Sequence, residues 1–264
     1  MERVDMAIIG GTGVYRADML ENSRDVTVET DYGQVGLMVG EYKGRKVAFL
    51  ARHGKGHTVP PHLVNYRANI QALKLLGAKR VVATTAVGSL NENMGPKDFV
   101  LVDQFLDFTK SRINTFYEGG EKGVLHVDVT DPYCREIRAF MYEKAREMGF
   151  RIHNGGCYVC AEGPRFETPA EIKMYKMLGG DVVGMTNVPE VVLAREAGLC
   201  YATVSMVTNY AAGISPTPLS HSEVLEVMAD LSENISRLIM ATIEGLPLTG
   251  ECLCKYGPAE AGKK

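Results

Sequence analysis

Short apolar runs that end in polar side chains recur five times along this 264-residue chain, and they constrain its fold more than any other feature. In the clearest of them, the apolar residues 81–83 are followed by Thr84, Thr85 and Gly88. Short buried runs that alternate with helical patterns are typical of the strands of an α/β sheet. Ligands collect at the carboxyl ends of such strands, so we expect these polar ends to share one site. The five ends are Thr12, Arg52 with His53, Thr84 with Thr85, Thr186, and Asn209.

Helical patterns lie between the runs. Residues 60–76 open with a Pro-Pro pair and continue with apolar residues at the spacing of a buried helix face. Thr168, Pro169 and Glu171 form the signature of a capping box with proline at the first helical position, so a helix should begin there. Because the chain has no internal repeat and no linker, we predict a single α/β domain over residues 1–256 and a flexible tail over 257–264.

The charge pattern excludes two classes of partner. Charges of both signs are spread along the chain and sum to −3, which leaves no basic surface for a nucleic acid or an anionic membrane. No apolar run reaches the length of a membrane span, and the apolar start of the chain is too short for a signal peptide. We therefore predict a cytoplasmic protein.

The six cysteines predict free thiols rather than a metal site. Cys157 and Cys160 lie in an alternating, strand-like stretch, where they would not form the knuckle of a zinc site. Cys252 and Cys254 lie near a polar tail and are the better redox candidates, while the other four are expected in the core. Disulfide formation stays open for two pairs. These are Cys252 with Cys254, and Cys134 with Cys200.

Two loops after predicted strands suit the binding of an anion. Residues 10–13 combine glycines with Thr12, as in loops whose backbone N–H groups surround a phosphate, although they match neither the P-loop nor the dinucleotide fingerprint. Residues 51–57 contain Arg52, two histidines, a lysine and two glycines, and a guanidinium can bind phosphate oxygens through two donors. The alternative for residues 51–57 is a solvated basic loop.

Six segments of the chain resemble the trimeric nucleoside phosphorylases, which include purine nucleoside phosphorylase and methylthioadenosine phosphorylase. They are residues 9–13, 51–54, 65–70, 84–89, 162–166 and 188–194. The resemblance implies a single domain with a central mixed, twisted β-sheet flanked by helices. It also implies phosphorolysis, in which inorganic phosphate is a co-substrate, attacks the anomeric carbon of a purine nucleoside, and needs no metal or organic cofactor.

The same resemblance implies roles for individual residues. Asn209 and His53 are the implied catalytic residues, where Asn209 supports negative charge on the leaving purine and His53 holds the phosphate. His126 resembles a residue lent by a neighbouring subunit, which implies a homotrimer or a dimer of trimers. The implied phosphate-binding residues are Thr12, Arg52, His53, Thr85, Ala86 and Thr186. The implied nucleoside-binding residues are Ala86, Val87, Gly88, Phe166, Glu167, Val183, Gly184, Met185, Asn209, Ala211, His221 and the neighbour's His126.

Four of these residues bear on which nucleoside is cleaved. Adenosine-type members carry aspartates where this chain has Asn209 and Ala211, and an amide offers the donor and the acceptor that suit a 6-oxopurine. A carboxylate at Glu167 would face the protonated N1 edge of hypoxanthine or guanine; its alternative is a surface charge before a helix. His221 resembles the histidine that meets a 5′-hydroxyl, but it could also be a solvent-exposed helix residue, so 5′-hydroxyl and 5′-methylthio groups both stay open.

The sequence therefore predicts a purine-salvage pentosyltransferase that cleaves inosine, guanosine or S-methyl-5′-thioinosine with phosphate. Three alternatives remain, and the first is an S-methyl-5′-thioadenosine phosphorylase. The second is a nucleosidase that uses water, which the retained phosphate-binding residues disfavour. The third is a non-catalytic sensor of nucleoside or phosphate, which the separate set of purine-binding residues disfavours.

Overall fold

The computed structural model describes residues 3–10, 20–215, 220–250, 252 and 254, without the side chains of residues 221 and 223. The described residues form one mixed α/β domain. Its strands are β1 (Met6–Gly10), β2 (Glu21–Thr30), β3 (Gly33–Tyr42), β4 (Arg45–Ala51), β5 (Arg80–Ser89), β6 (Phe99–Leu101), β7 (Gln104–Phe108), β8 (Ile152–Asn154), β9 (Cys157–Ala161), β10 (Val182–Gly184) and β11 (Cys200–Tyr210). Its α-helices are α1 (Tyr66–Leu75), α2 (Arg135–Glu147), α3 (Pro169–Met177), α4 (Asn187–Glu196) and α5 (His221–Gly245).

The strands join in one mixed sheet. Its main path runs in the order β2-β3-β4-β1-β5-β10-β9-β7, while β11 pairs with β5 and β6, and β8 pairs with β6. β1 is parallel to β4 and β5, whereas β10 is antiparallel to β5 and parallel to β9. The predicted single α/β domain with a central mixed sheet is therefore confirmed.

Strand β5 changes its neighbour half-way along its length. It pairs with β1 from Arg80 to Ala83 and with β10 only at Gly88 and Ser89. The intervening residues 84–87 pair with β11 alone. The sheet is consequently open on one side of β5 at these residues, and in open α/β sheets such a change of neighbours is where ligands bind.

The predicted strand end at residue 83 is wrong. β5 continues to Ser89 because its partner β11 runs beside it for the whole distance, and β11 in turn extends past Asn209 to Tyr210. Thr84 and Thr85 thus lie inside the strand and are fully buried. Burial is tolerated because polar groups find partners there, as the 2.8 Å hydrogen bond between the hydroxyls of Thr85 and Ser205 shows.

Two apolar layers cover the sheet, and alternate residues of β5 point into each. Val81 and Ala83 pack in the layer that includes Leu73 of α1. Val82 packs in the other, with Ile235 of α5. Full burial of a side chain of this size contributes roughly 1.5–3 kcal/mol, so the two layers fix which residues of β5 face which side.

The predicted capping box at the start of α3 is confirmed. The side chain of Thr168 accepts a hydrogen bond from the backbone of Glu171 at 3.2 Å, and the Glu171 carboxylate accepts one from the backbone of Thr168 at 2.7 Å. The helix predicted from residue 60 begins later, at Tyr66, because Asn65 caps it and Pro61–Leu63 forms a separate 3-10 turn. Among the described residues, no helix combines the length and apolar character that a membrane span requires.

Four thiols converge at the opposite end of β5 and β11 from the opening in the sheet. The sulfur atoms of Cys134, Cys200, Cys252 and Cys254 lie within 4.8 Å of one another, and those of Cys200 and Cys252 are 3.0 Å apart. All six cysteines are free. Cys252 and Cys254 therefore belong to the same group as two of the expected core cysteines, whereas Cys157 is only half-buried.

Candidate active site

A cavity of about 150 Å³ lies at the opening in the sheet. The predicted site residues that line it are Arg52, His53, Thr85, Ala86, Val87, Gly88, Phe166, Glu167, Val183, Gly184, Met185, Thr186, Asn209 and Ala211. Three further lining residues, Pro61, Thr208 and Val224, were not assigned to the site from the sequence, and His57 was predicted only as part of the anion-binding loop 51–57. Of the remaining predictions, Thr12 and the side chain of His221 lie outside the described residues, and His126 is exposed and does not line the cavity of its own chain.

Arg52 forms a buried ion pair with Glu190. Its Nε and Nη2 atoms each donate to one carboxylate oxygen of Glu190 at 2.7 Å, and its Nη1 donates to the carbonyl oxygen of Thr84 at 2.9 Å. The two charged side chains are 1% and 0% exposed, respectively. Arg52 therefore reaches the cavity wall from a fixed orientation, with its charge already balanced.

The carboxylate of Glu190 is held by a second set of polar groups. Tyr201 donates its hydroxyl hydrogen to Glu190 at 2.7 Å, and Thr203 donates to the Tyr201 hydroxyl at 3.1 Å. Asn187 donates to the Thr203 hydroxyl at 2.8 Å and accepts a hydrogen bond from Tyr133. Each of these side chains is buried, so the network forms a rigid polar layer behind the cavity.

His53 is held in one orientation by its backbone contact. Its Nδ1 lies 2.8 Å from the carbonyl oxygen of Val59, so Nδ1 carries the hydrogen and Nε2 is the acceptor. Burial, together with the charge of Arg52 and the ring of His57, lowers the pKa of His53 to about 4. His53 is therefore a neutral imidazole near pH 7.

The neutral state of His53 can be checked directly. We expect the ring proton resonances of His53 to titrate with a midpoint near pH 4 rather than at the ordinary histidine value of about 6.5. Because the pKa of His53 is lower in the folded protein than in the unfolded chain, the free energy of unfolding should decrease as the pH falls from about 6.5 towards 4. An NMR titration with a His53→Gln variant for assignment makes the measurement, and a midpoint near 6.5 would contradict it.

Glu167 lines the cavity, and one oxygen of its buried carboxylate has no hydrogen-bond partner. The residue is 8% exposed, and its Oε1 atom has no hydrogen-bond partner. Burial raises the pKa of Glu167 above its ordinary value. A buried acceptor without a donor costs stability, so this oxygen is suited to a ligand that brings an N–H group.

Asn209 lies at an irregularity in β11. The register between β11 and β5 shifts between Val207 and Asn209, which brings Asn209 opposite Gly88. Its Oδ1 accepts from the hydroxyl of Thr208 at 2.8 Å, and its Nδ2 donates to the carbonyl oxygen of Tyr210 at 2.9 Å. A side chain at Gly88 would meet Nδ2 of Asn209 at 3.2 Å, so glycine there leaves room for the amide.

Gly184 allows the side chain of Tyr158 to pack closely against the backbone beside the cavity. A Cβ atom at this position would lie 2.1 Å from the hydroxyl oxygen of Tyr158, which is fully buried. That hydroxyl accepts a hydrogen bond from the backbone N–H of Thr186 at 3.4 Å. The glycine thus lets Tyr158 fill the space behind residues 184–186, where the strand β10 turns into α4.

The family model for the phosphorylase superfamily matches residues 5–244 of the chain. The chain belongs to this superfamily. The match covers every strand of the described sheet and all but the last residue of α5. The resemblance to nucleoside phosphorylases that the sequence segments indicated is confirmed, and the opening at β5 is accordingly the candidate active site of a phosphorylase.

Three individual proteins show which members of the superfamily this chain is similar to. A Dictyoglomus turgidum protein named "Probable 6-oxopurine nucleoside phosphorylase" is 58% identical over 98% of both chains. The 6-oxopurine nucleoside phosphorylase of Pyrococcus furiosus is 56% identical over 95% of this chain and 96% of its own. The solved structure of methylthioadenosine phosphorylase from Schistosoma mansoni in complex with adenine superimposes with a TM-score of 0.87 at 35% identity, covering 91% of each chain.

Sequence reasoning missed the polar layer behind the cavity. Glu190 was part of a segment that carried the family resemblance, but it received no role. A signal was present, because Glu190 stands in an otherwise apolar run from residue 188 to 194. A carboxylate in a buried apolar run needs a cationic partner. The identity of that partner, Arg52, depends on a contact across 138 residues of sequence that periodicity does not reveal.

Proposed function

We propose that this phosphorylase cleaves 6-oxopurine nucleosides with inorganic phosphate and releases the free purine and a pentose 1-phosphate. The choice of purine rests on Glu167, which lines the cavity and has a buried carboxylate oxygen, Oε1, without a hydrogen-bond partner. A 6-oxopurine has a hydrogen on N1 that it can donate to this oxygen, whereas a 6-aminopurine presents a lone pair there. The names of the relatives from Dictyoglomus turgidum and Pyrococcus furiosus support the same substrate class.

In the proposed reaction a phosphate oxygen attacks C1′ while the bond from C1′ to N9 breaks, and the bonding electron pair leaves with the purine. Positive charge develops on the sugar in the transition state, so a phosphate anion placed beside C1′ stabilises it. We assign the phosphate to Arg52, His53, Thr85, Ala86 and Thr186, with Thr12 as a further candidate. We assign the nucleoside to Val87, Gly88, Phe166, Glu167, Met185 and Asn209.

Two residues have hydrogen-bonding groups suited to the reaction, and the purine anion takes its proton from water after the bond to C1′ has broken. The neutral His53 offers its Nε2 atom as an acceptor for a phosphate hydroxyl, because Nδ1 is engaged with Val59. The Nδ2 atom of Asn209 has two hydrogens, and the carbonyl of Tyr210 accepts one of them. We propose that the amide donates to N7 of the purine and so supports the negative charge that arrives with the electron pair.

Phosphate dependence separates phosphorolysis from the two alternatives that do not use phosphate as a reactant. The purified protein should release hypoxanthine from inosine or S-methyl-5′-thioinosine only when phosphate is added, with pentose 1-phosphate as the second product. Equal release without phosphate would identify a nucleosidase. Binding of nucleoside with no turnover under either condition would identify a sensor.

An S-methyl-5′-thioadenosine phosphorylase is the second candidate. The solved Schistosoma mansoni structure with adenine favours it, and Val224 adds an apolar residue to the cavity wall. Glu167 opposes it, because a carboxylate beside N1 of adenine brings two acceptors together. Comparison of S-methyl-5′-thioadenosine with the 6-oxopurine substrates decides between the two.

We further propose a cytoplasmic homotrimer, or a dimer of trimers, that recovers purines for salvage. The oligomeric state is proposed from His126, which is exposed on its own chain and is therefore available to a neighbour's cavity. A His126→Ala variant should keep its oligomeric state in sedimentation experiments and raise KM for the nucleoside. An unchanged KM would remove His126 from the site.

A further inference from the structure

The ion pair behind the cavity joins one residue that lines the cavity to one that does not. Arg52 contributes to the wall, whereas Glu190 lies wholly behind it and is inaccessible to solvent. Both charges are removed from water, which is costly unless each has a partner of good geometry. Here the geometry is bidentate, with both nitrogen-to-oxygen distances at 2.7 Å. Glu190 therefore influences any ligand only through Arg52.

The hydrogen bonds of Arg52 leave two of its N–H groups for a ligand. A guanidinium has five N–H groups. Three hydrogen bonds account for the Nε hydrogen, one on Nη2 and one on Nη1, with Glu190 and the Thr84 carbonyl as acceptors. One hydrogen on each Nη atom remains for a ligand. The Nε and Nη2 side of the guanidinium is thus occupied by Glu190, which fixes the orientation of the two remaining hydrogens.

The pairing also balances the positive charge of Arg52 that a phosphate would meet. Arg52 and Glu190 together are neutral, and His53 beside them is a neutral imidazole. A dianion entering the cavity would be bound by directed N–H groups rather than by an uncompensated cation. Interactions that hold the reactant more strongly than the transition state do not raise kcat, so a balanced guanidinium is better suited to turnover than a bare one.

We propose that Glu190 is a positioning residue for the phosphate side of the reaction, which orients Arg52 and balances its charge. This inference rests on the proposed phosphorolysis. It assigns no contact between Glu190 and substrate. Tyr201 donates a hydrogen bond to Glu190 at 2.7 Å and so helps to orient Arg52, because it holds the carboxylate in place.

A Glu190→Gln variant tests the proposal, since glutamine keeps the shape and removes the charge. We expect kcat to fall on the order of 10²-fold, because an amide NH2 replaces one acceptor oxygen and Arg52 loses one of the two hydrogen bonds that orient it. We also expect the half-saturating phosphate concentration to fall about tenfold or more, because a buried positive charge is no longer balanced. Inorganic phosphate should accordingly raise the melting temperature of the variant more than that of the parent protein.

Asp98→Asn is the matched control. Asp98 is also buried and charged, and it pairs with Arg151 at 3.1 Å and His153 at 2.8 Å, but it does not line the cavity. The Asp98→Asn variant should have a lower melting temperature than the parent protein. Its kcat, its half-saturating phosphate concentration and the rise in melting temperature caused by phosphate should be those of the parent. If Glu190→Gln leaves the half-saturating phosphate concentration unchanged or higher, the proposal is wrong.

A second variant keeps the test decisive if Glu190→Gln does not fold. Tyr201→Phe removes one donor to Glu190 and keeps its charge, so kcat should fall while the half-saturating phosphate concentration stays the same. An unchanged kcat would overturn the positioning role. Failure of the proposed function is seen separately, because the parent protein would then show no phosphate-dependent cleavage at all.

Discussion

A Glu167→Gln variant is expected to lose about 10- to 100-fold in kcat/KM for inosine. A hydrogen bond to a charged partner contributes about 1.5–3 kcal/mol, and the substitution exchanges a carboxylate acceptor for a neutral amide. The amide can also donate to N1 of a 6-aminopurine, so the preference for inosine over adenosine should fall further than the activity itself. Initial rates with both nucleosides at saturating phosphate provide the measurement.

The same variant should be more stable than the parent protein when no ligand is bound. Burial raises the pKa of Glu167, so the folded protein binds this proton more tightly than the unfolded chain. The stability contributed by this group is therefore greatest below the ordinary glutamate pKa, about 4.3, and is lost as the pH rises through the raised value. Replacing the carboxylate should raise the melting temperature at neutral pH and have little effect in acid.

Glu143→Gln provides a control for the Glu167 prediction, since Glu143 is exposed on α2. The Glu143→Gln variant should keep the parent protein's preference for inosine over adenosine. A Glu167→Gln protein that keeps full activity on inosine would show that this carboxylate does not bind N1 of the purine. A lowered melting temperature at neutral pH would show that Glu167 stabilises the empty protein instead.

Arg52→Met is expected to have the largest effect on both stability and activity. It leaves the carboxylate of Glu190 buried without its cation, which typically costs about 3–5 kcal/mol. It also removes the charged donors from the phosphate side, and loss of such a donor typically lowers kcat on the order of 10²–10³-fold. Denaturant unfolding and phosphate-dependent hypoxanthine release measure the two effects.

The double variant Arg52→Met/Glu190→Met separates these two losses. Replacing both members of a buried ion pair with apolar residues of similar volume is often neutral or stabilising, so most of the lost stability should return. Activity should stay as low as in the single variant, because the donors to phosphate are still missing. A double variant that recovers phosphate-dependent turnover would exclude Arg52 from the phosphate site.

The fold was largely predictable because its signals are local. Short apolar runs and a capping box at Thr168 and Glu171 identified the α/β class and the start of α3 before any contact was known. The boundaries of β5 and β11 were not predictable, because the long pairing between the two strands decides them. Thr84 was predicted to lie at a strand end, yet a polar residue can continue a strand when its partner strand continues too.

The site was predictable to a similar degree. Polar residues at strand ends converge at one opening, and Glu167, Asn209 and Arg52 all line it. The partner of Arg52 was not predictable, since periodicity carries no information on contacts between α4 and the loop that follows β4. The assembly of Cys252 and Cys254 with Cys134 and Cys200 was missed for the same reason, because it depends on where the chain returns after α5.

The central claim is that this protein phosphorolyses 6-oxopurine nucleosides. Its most direct test is a side-by-side measurement of kcat/KM for inosine, guanosine, S-methyl-5′-thioinosine and S-methyl-5′-thioadenosine, each with and without phosphate. We expect phosphate-dependent cleavage with at least one 6-oxopurine nucleoside faster than S-methyl-5′-thioadenosine. Faster cleavage of S-methyl-5′-thioadenosine than of all three 6-oxopurine nucleosides would contradict the claim.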